Sequence, residues 1–154
     1  MRRLLELTLL ASFIFSLAAM PGYSQSKNPL MGAWKVTEVT NPGQPPLTNP
    51  QPGLYVFSEK HYSAVRIQGN RPLPDYPSND KATDADKVQV FNSLYMNTGA
   101  YTVNGNTLIT MPQVAKSAFA MAPGRKTEYT FTISGNTLTL MQKDGPTVKF
   151  VRAE

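Results

Sequence analysis

Apolar and polar residues alternate with period two along most of this chain, and short Gly, Asn or Pro breaks divide the alternation into runs of strand length. In the first run Trp34, Val36 and Glu38 alternate with Lys35, Thr37 and Val39. The stretch from Asn41 to Gly53 holds five prolines and two glycines, so it cannot be regular structure. Leu54 to Phe57 and Tyr62 to Gln68 read as the second and third strands. A turn over Ser58, Glu59, Lys60 and His61 joins them and would pair Phe57 with Tyr62. Residues 70–82 form a second polar, proline-bearing loop. Thr83 followed by Asp86 then fits a capping box, and Val88, Phe91 and Tyr95 share one helical face, which predicts a short amphipathic helix over Asp84 to Tyr95.

The C-terminal half repeats one pattern. Ala100 to Val103, the pair Asn104-Gly105, and Thr107 to Met111 read as a hairpin around a two-residue turn that favours type I′ geometry. Tyr129, Phe131 and Ile133 alternate with polar neighbours up to Ser134-Gly135-Asn136, and Leu138 and Leu140 follow. Lys143-Asp144-Gly145-Pro146 turns into Val148, Phe150 and Arg152. Val114 to Arg125 is an Ala-bearing connection with room for one helical turn. Eight strands, nearly all joined to their sequence neighbour, predict an all-β, up-and-down antiparallel barrel, an arrangement that leaves no unpaired edge.

Composition narrows what such a barrel can be. A chain of 154 residues supplies one domain, and 41% hydrophobic with 16% charged residues describes a folded protein. The formal charge of +5 is spread thinly, with no basic run interleaved with aromatics, so no nucleic-acid partner is expected. No cysteine is present, which removes disulfides, thiolate chemistry and a lipidated cysteine. At the N-terminus Arg2 and Arg3 precede an apolar stretch from Leu4 to Met20 that Pro21-Gly22 breaks. Its most apolar part is too short to span a bilayer, which takes about 20 residues. We read residues 1–24 as a signal peptide and 25–154 as the mature domain, periplasmic or secreted and without a membrane anchor.

Motifs for chemistry are scarce. The single histidine, His61, lacks acids at ligand spacing, so no metal site is expected. No nucleophile elbow, phosphate loop or dinucleotide fingerprint occurs, so no cofactor is expected and no catalytic residue is assigned. His61 reads as a turn residue tolerant of unusual φ rather than as a general base. Asp84 and Asp86 read as charges matched to the helix N-terminus rather than as a catalytic pair.

Several short blocks in order, namely Gly32-Ala33-Trp34-Lys35, Gly53-Leu54-Tyr55-Val56-Phe57, His61-Tyr62-Ser63, Gly99-Ala100-Tyr101-Thr102-Val103, Val114-Ala115-Lys116 and Val151-Arg152-Ala153-Glu154, resemble the bacterial lipocalin-like domain family of small exported calycin-type proteins. The resemblance implies a barrel with a cavity. It also implies that Gly32, Trp34 and Arg152 meet at the closed end, with the guanidinium on the indole face. The chain departs from the classical lipocalins in lacking their disulfide, their long C-terminal helix and their second signature motif, so none of their ligands carries over.

Pairing Phe57 with Tyr62 puts Tyr55, Phe57, Tyr62 and Arg66 on one face of a strand pair, and Tyr101, Tyr129 and Phe131 on later strands can share that interior. These seven residues are the candidate ligand-binding set, lining one cavity open at the end opposite Trp34. The reading that follows is a binding protein for a small, largely apolar molecule, with Arg66 available to an anionic head. A cofactor-independent cyclase or isomerase in the same cavity, and a structural module whose barrel is filled, are the alternatives.

Overall fold

Strand β1 (Gly32–Thr40) pairs with β2 (Gly53–Phe57) along one edge and with the last strand, β8 (Thr147–Arg152), along the other, and this double pairing closes the sheet. The computed structural model describes residues 28–153. Between those strands run β3 (His61–Ile67), β4 (Leu94–Asn104), β5 (Thr107–Ala115), β6 (Thr127–Ser134) and β7 (Thr137–Gln142), each antiparallel to its sequence neighbours. The result is a closed barrel of eight strands in sequence order. Helix α1 (Asp84–Ser93) precedes β4, and a short 3₁₀ turn (Ala118–Met121) lies between β5 and β6.

The predicted alternation sets the inside of this barrel. Trp34 and Val36 on β1, Tyr55 and Phe57 on β2, Tyr62 and Ala64 on β3, Leu138 and Leu140 on β7, and Val148 and Phe150 on β8 are buried in one core. Phe57 faces Tyr62 across the β2–β3 hairpin, as the turn over Ser58 to His61 predicts. The proline-rich segment between β1 and β2 is held as a strap: Val39 and Leu47 exchange backbone hydrogen bonds of 3.1 and 2.9 Å.

Local expectations need correction in several places. The capping box forms, with the Thr83 hydroxyl accepting from the Asp86 amide and the Asp86 carboxylate accepting from the Thr83 amide. The helix, however, ends at Ser93 rather than Tyr95. Leu94 turns extended and begins a ladder, with Tyr95 next in it, that pairs residues 94–100 with residues 61–67 of β3. Long-range pairing overrides the local helical period there. Nor does α1 bury an apolar face: none of its residues is buried, and Val88 and Phe91 are 57% and 55% exposed.

The hairpin turns are Gly105-Asn106, one residue later than the Asn104-Gly105 pair, and Gly135-Asn136, inside the expected Ser134-Gly135-Asn136 break. Only the glycine of each has positive φ, the pattern of type II′ rather than I′. His61 opens β3 without positive φ, its amide donating to the Ser58 hydroxyl at 3.2 Å. The expected signal peptide over residues 1–24 lies outside the described residues, among which no helix is long and apolar enough to cross a membrane.

Candidate functional site

The two ends of the barrel differ in chemistry. At one end Trp34 is fully buried and its indole Nε1 donates to the Leu30 carbonyl at 2.7 Å. The Arg152 guanidinium lies 4.2 Å from the indole centroid and donates to the carbonyls of Met31, at 2.8 Å, and Pro29, at 3.3 Å. Gly32 makes this possible, because its φ is +121° and a Cβ there would come within 2.8 Å of Arg152 Nη1. A cation-π contact of about 0.5 to 2 kcal/mol and two charge-assisted hydrogen bonds plug this end.

Inside, aromatic rings are packed against one another. Tyr55 meets Phe150 at 4.8 Å between centroids and stacks on Tyr95 at 6.4 Å, while Phe57 meets Tyr101 edge-on at 5.4 Å. Tyr62 donates to the Asn97 side-chain oxygen. The space left between these rings is about 10 Å³, lined by Tyr55, Phe57, Tyr62, Tyr95, Thr110 and Tyr129 with Ala64, Leu108 and Leu140. That volume is on the scale of one water.

Burial pushes the Tyr62 phenol up to about 12. Burial and then the neighbouring tyrosines drive Tyr55 and Tyr129 far above the ordinary phenol range. The cluster is therefore neutral at physiological pH. None of the nine lining side chains is a carboxylate, imidazole or amine, so the lumen has hydrogen-bonding hydroxyls but no base.

Toward the opposite end, Arg66 points inward from β3. Its partner across the β2–β3 ladder is Gly53, where a Cβ would come within 2.6 Å of the Arg66 Cβ, so a residue without a side chain is what lets the arginine stem pass. Arg66 is only 9% exposed. Its guanidinium lies 5.3 Å from the Tyr95 ring centroid, and it makes no ion pair with an acid among the described residues. Its Nε is the one buried side-chain nitrogen or oxygen there without a hydrogen-bond partner. The Tyr55 phenol lies beside the guanidinium as well, and neither this neutral hydroxyl nor the Tyr95 ring carries a formal negative charge. No carboxylate balances its charge among the described residues. Arg66 lines a pocket of about 120 Å³ between β3 and the strap, with Val39, Asn41, Leu47, Pro50, Ile67, Gln68 and Gly69.

No protein-family model matches the chain, and no curated protein matches it in sequence. Among solved structures, a lipocalin-like protein from Bacteroides uniformis superposes with a TM-score of 0.50 at 15% identity, over 80% of this chain and 97% of that one. The chain has the lipocalin-like fold. An uncharacterised protein from Bacteroides eggerthii superposes with a TM-score of 0.49 at 10% identity, over 80% and 98% of the two chains.

Within this lipocalin-like barrel, the seven residues singled out from sequence divide into three groups. Tyr55, Phe57, Tyr62 and Tyr129 converge on the residual cavity. Tyr101 and Phe131 are buried in the same core but do not border that cavity. The Tyr101 hydroxyl instead donates to the Ser58 carbonyl at 2.6 Å and accepts from Asn28 at 2.5 Å, so this ring ties the β2–β3 turn to the segment before β1. Arg66 borders the strap pocket. The open cavity expected from sequence is filled by rings, because an eight-stranded barrel has an interior that side chains of this size can occupy. Sequence reasoning missed Tyr95, which stacks on Tyr55 and receives the Arg66 charge, because it was placed on the preceding helix.

Proposed function

We propose that this protein is a binding module for a small, largely apolar molecule, which enters the barrel at the end opposite Trp34 and lodges among Tyr55, Tyr62, Tyr95 and Tyr129. The observation that carries this reading is the convergence of four tyrosines on one spot in the lumen, two of which, Tyr95 and Tyr129, are only partly buried. Displacement of these partly buried rings would enlarge a cavity already lined by aromatic faces and hydroxyls, a lining suited to an apolar ligand with one polar group. The lack of a base among the lining residues favours binding over a cyclase or isomerase.

A structural role is the second reading. It is favoured by the residual volume of about 10 Å³. An apolar fluorescent probe separates the two. A binding module takes up the probe with micromolar affinity, about −8 kcal/mol, Tyr62→Ala changes that affinity, and Thr139→Ala on β7 leaves it unchanged. No saturable uptake would retire the binding module in favour of the filled barrel. The proposed export rests on Arg2, Arg3 and the apolar stretch ending at Met20. Mass spectrometry of the exported product should find a start near Gln25, and an intact Met1 would count against it.

A further inference from the structure

The strap pocket is separate from the ring-lined cavity, since the two share no lining residue. We propose that it is a binding site for a small monocarboxylate, with Arg66 as its cation. Three observations converge on that chemistry. First, Arg66 is nine-tenths buried, has no ion-pair partner among the described residues, lines this space, and carries an Nε without a hydrogen-bond partner. A planar guanidinium in that condition is matched by a carboxylate, which can take two parallel N–H donors at once.

Second, Arg66 is the one charged residue that lines the pocket, so the site neutralises one negative charge. A dianionic phosphate would lack a second cation there. Third, the remaining walls pair the aliphatic side chains of Val39, Leu47, Pro50 and Ile67 with the amides of Asn41 and Gln68, whose N–H groups can donate to a carboxylate alongside Arg66. A volume of about 120 Å³ holds several waters, or a carboxylate with a tail of a few carbons.

Strap and arginine are linked by construction. Leu47 is anchored by its backbone pair with Val39, and the strap joins β2 at Gly53, the residue facing Arg66. A bound carboxylate would therefore bridge the strap to β3. This inference does not rest on the lumen reading, because the two spaces share no lining residue and each has its own probe.

Sodium butyrate is the probe, followed by NMR of the Leu47 and Ile67 methyl groups in the full protein, with butyramide as the neutral isostere and chloride at matched ionic strength as the second control. The expected result is a saturable shift with butyrate at millimolar affinity, at least about tenfold weaker for butyramide because its amide forgoes the charge-assisted pair. Arg66→Met should abolish it. Leu47→Trp, at a half-buried strap position, should also block it by filling the pocket, and this variant decides the matter if Arg66→Met does not fold. The proposal is overturned by equal responses to butyrate and butyramide, by a response that chloride reproduces, by no saturable shift, or by binding that survives in these variants. The apolar fluorescent probe run on Leu47→Trp keeps the two sites apart, since uptake into the lumen should be unaffected there.

Discussion

Single side chains decide how each end of the barrel behaves, and two arginines show how. Arg152 and Arg66 both lie over an aromatic ring, at 4.2 Å from Trp34 and 5.3 Å from Tyr95. Arg152 also donates to two backbone carbonyls, whereas the Arg66 Nε is left without a partner. The first is a fastener and the second is a charge awaiting an anion. Arg152→Ala should lower stability by about 0.5 to 2 kcal/mol, through the lost cation-π contact and stem packing. Lys149→Ala should cost less, because its 2.8 Å pair with Glu38 lies on the barrel's outer surface, where such pairs contribute about 0 to 1 kcal/mol. Urea unfolding midpoints of the two variants test this, and equal losses would contradict the role given to Arg152.

At the scale of elements, α1 and β4 show a helix that is well capped and weakly held. The reciprocal bonds of Thr83 and Asp86 close its first turn, and Lys116 donates to the carbonyls of Phe91 and Asn92 at its last. No residue of the helix is buried. Its stability therefore rests on the ends more than on packing. Thr83→Ala should weaken the helix locally by about 0.5 to 2 kcal/mol, raising amide exchange in residues 84–93. Global unfolding should move by less than about 0.5 kcal/mol, because the barrel beneath loses no buried contact. A loss of global stability as large as the local one would mean that the helix is part of the cooperative unit. Strand β4 is the reverse case, since its first residues are held by β3 and not by their own periodicity.

At the scale of the whole molecule, the buried phenols couple the barrel to alkaline pH. Tyr62 ionises near 10 when free and only at about 12 in the fold, with Tyr55, Tyr101 and Tyr129 also raised by burial. Above pH 10 the unfolded chain loses protons that the folded barrel retains, so stability falls. The contribution of Tyr62 is complete below about pH 10 and is lost as pH rises toward 12, at about 1.4 kcal/mol per pH unit for this one group. Denaturant unfolding measured between those limits should steepen with pH, and Tyr62→Phe should make the decline shallower. An identical slope in wild type and variant would show that this phenol is not neutral and buried as described.

Much of the architecture was legible in the residues themselves. Strand positions, the Phe57–Tyr62 register, the capping box and, through the family resemblance, the meeting of Trp34 with Arg152 follow from alternation, turn chemistry and the order of short motifs, which are properties of near neighbours or of strand order. What tertiary structure alone decided depends on residues far apart in the chain. Tyr95 left the helix because β3 pairs with it, and that placed an unforeseen ring between Tyr55 and Arg66. Tyr101 turned its hydroxyl to Ser58 and Asn28 because those acceptors and donors arrive from other elements. Whether the lumen is open or filled is a sum over the volumes of all inward side chains. Whether Arg66 has a partner depends on which acids the fold brings near it, and neither quantity has a local signature in the sequence.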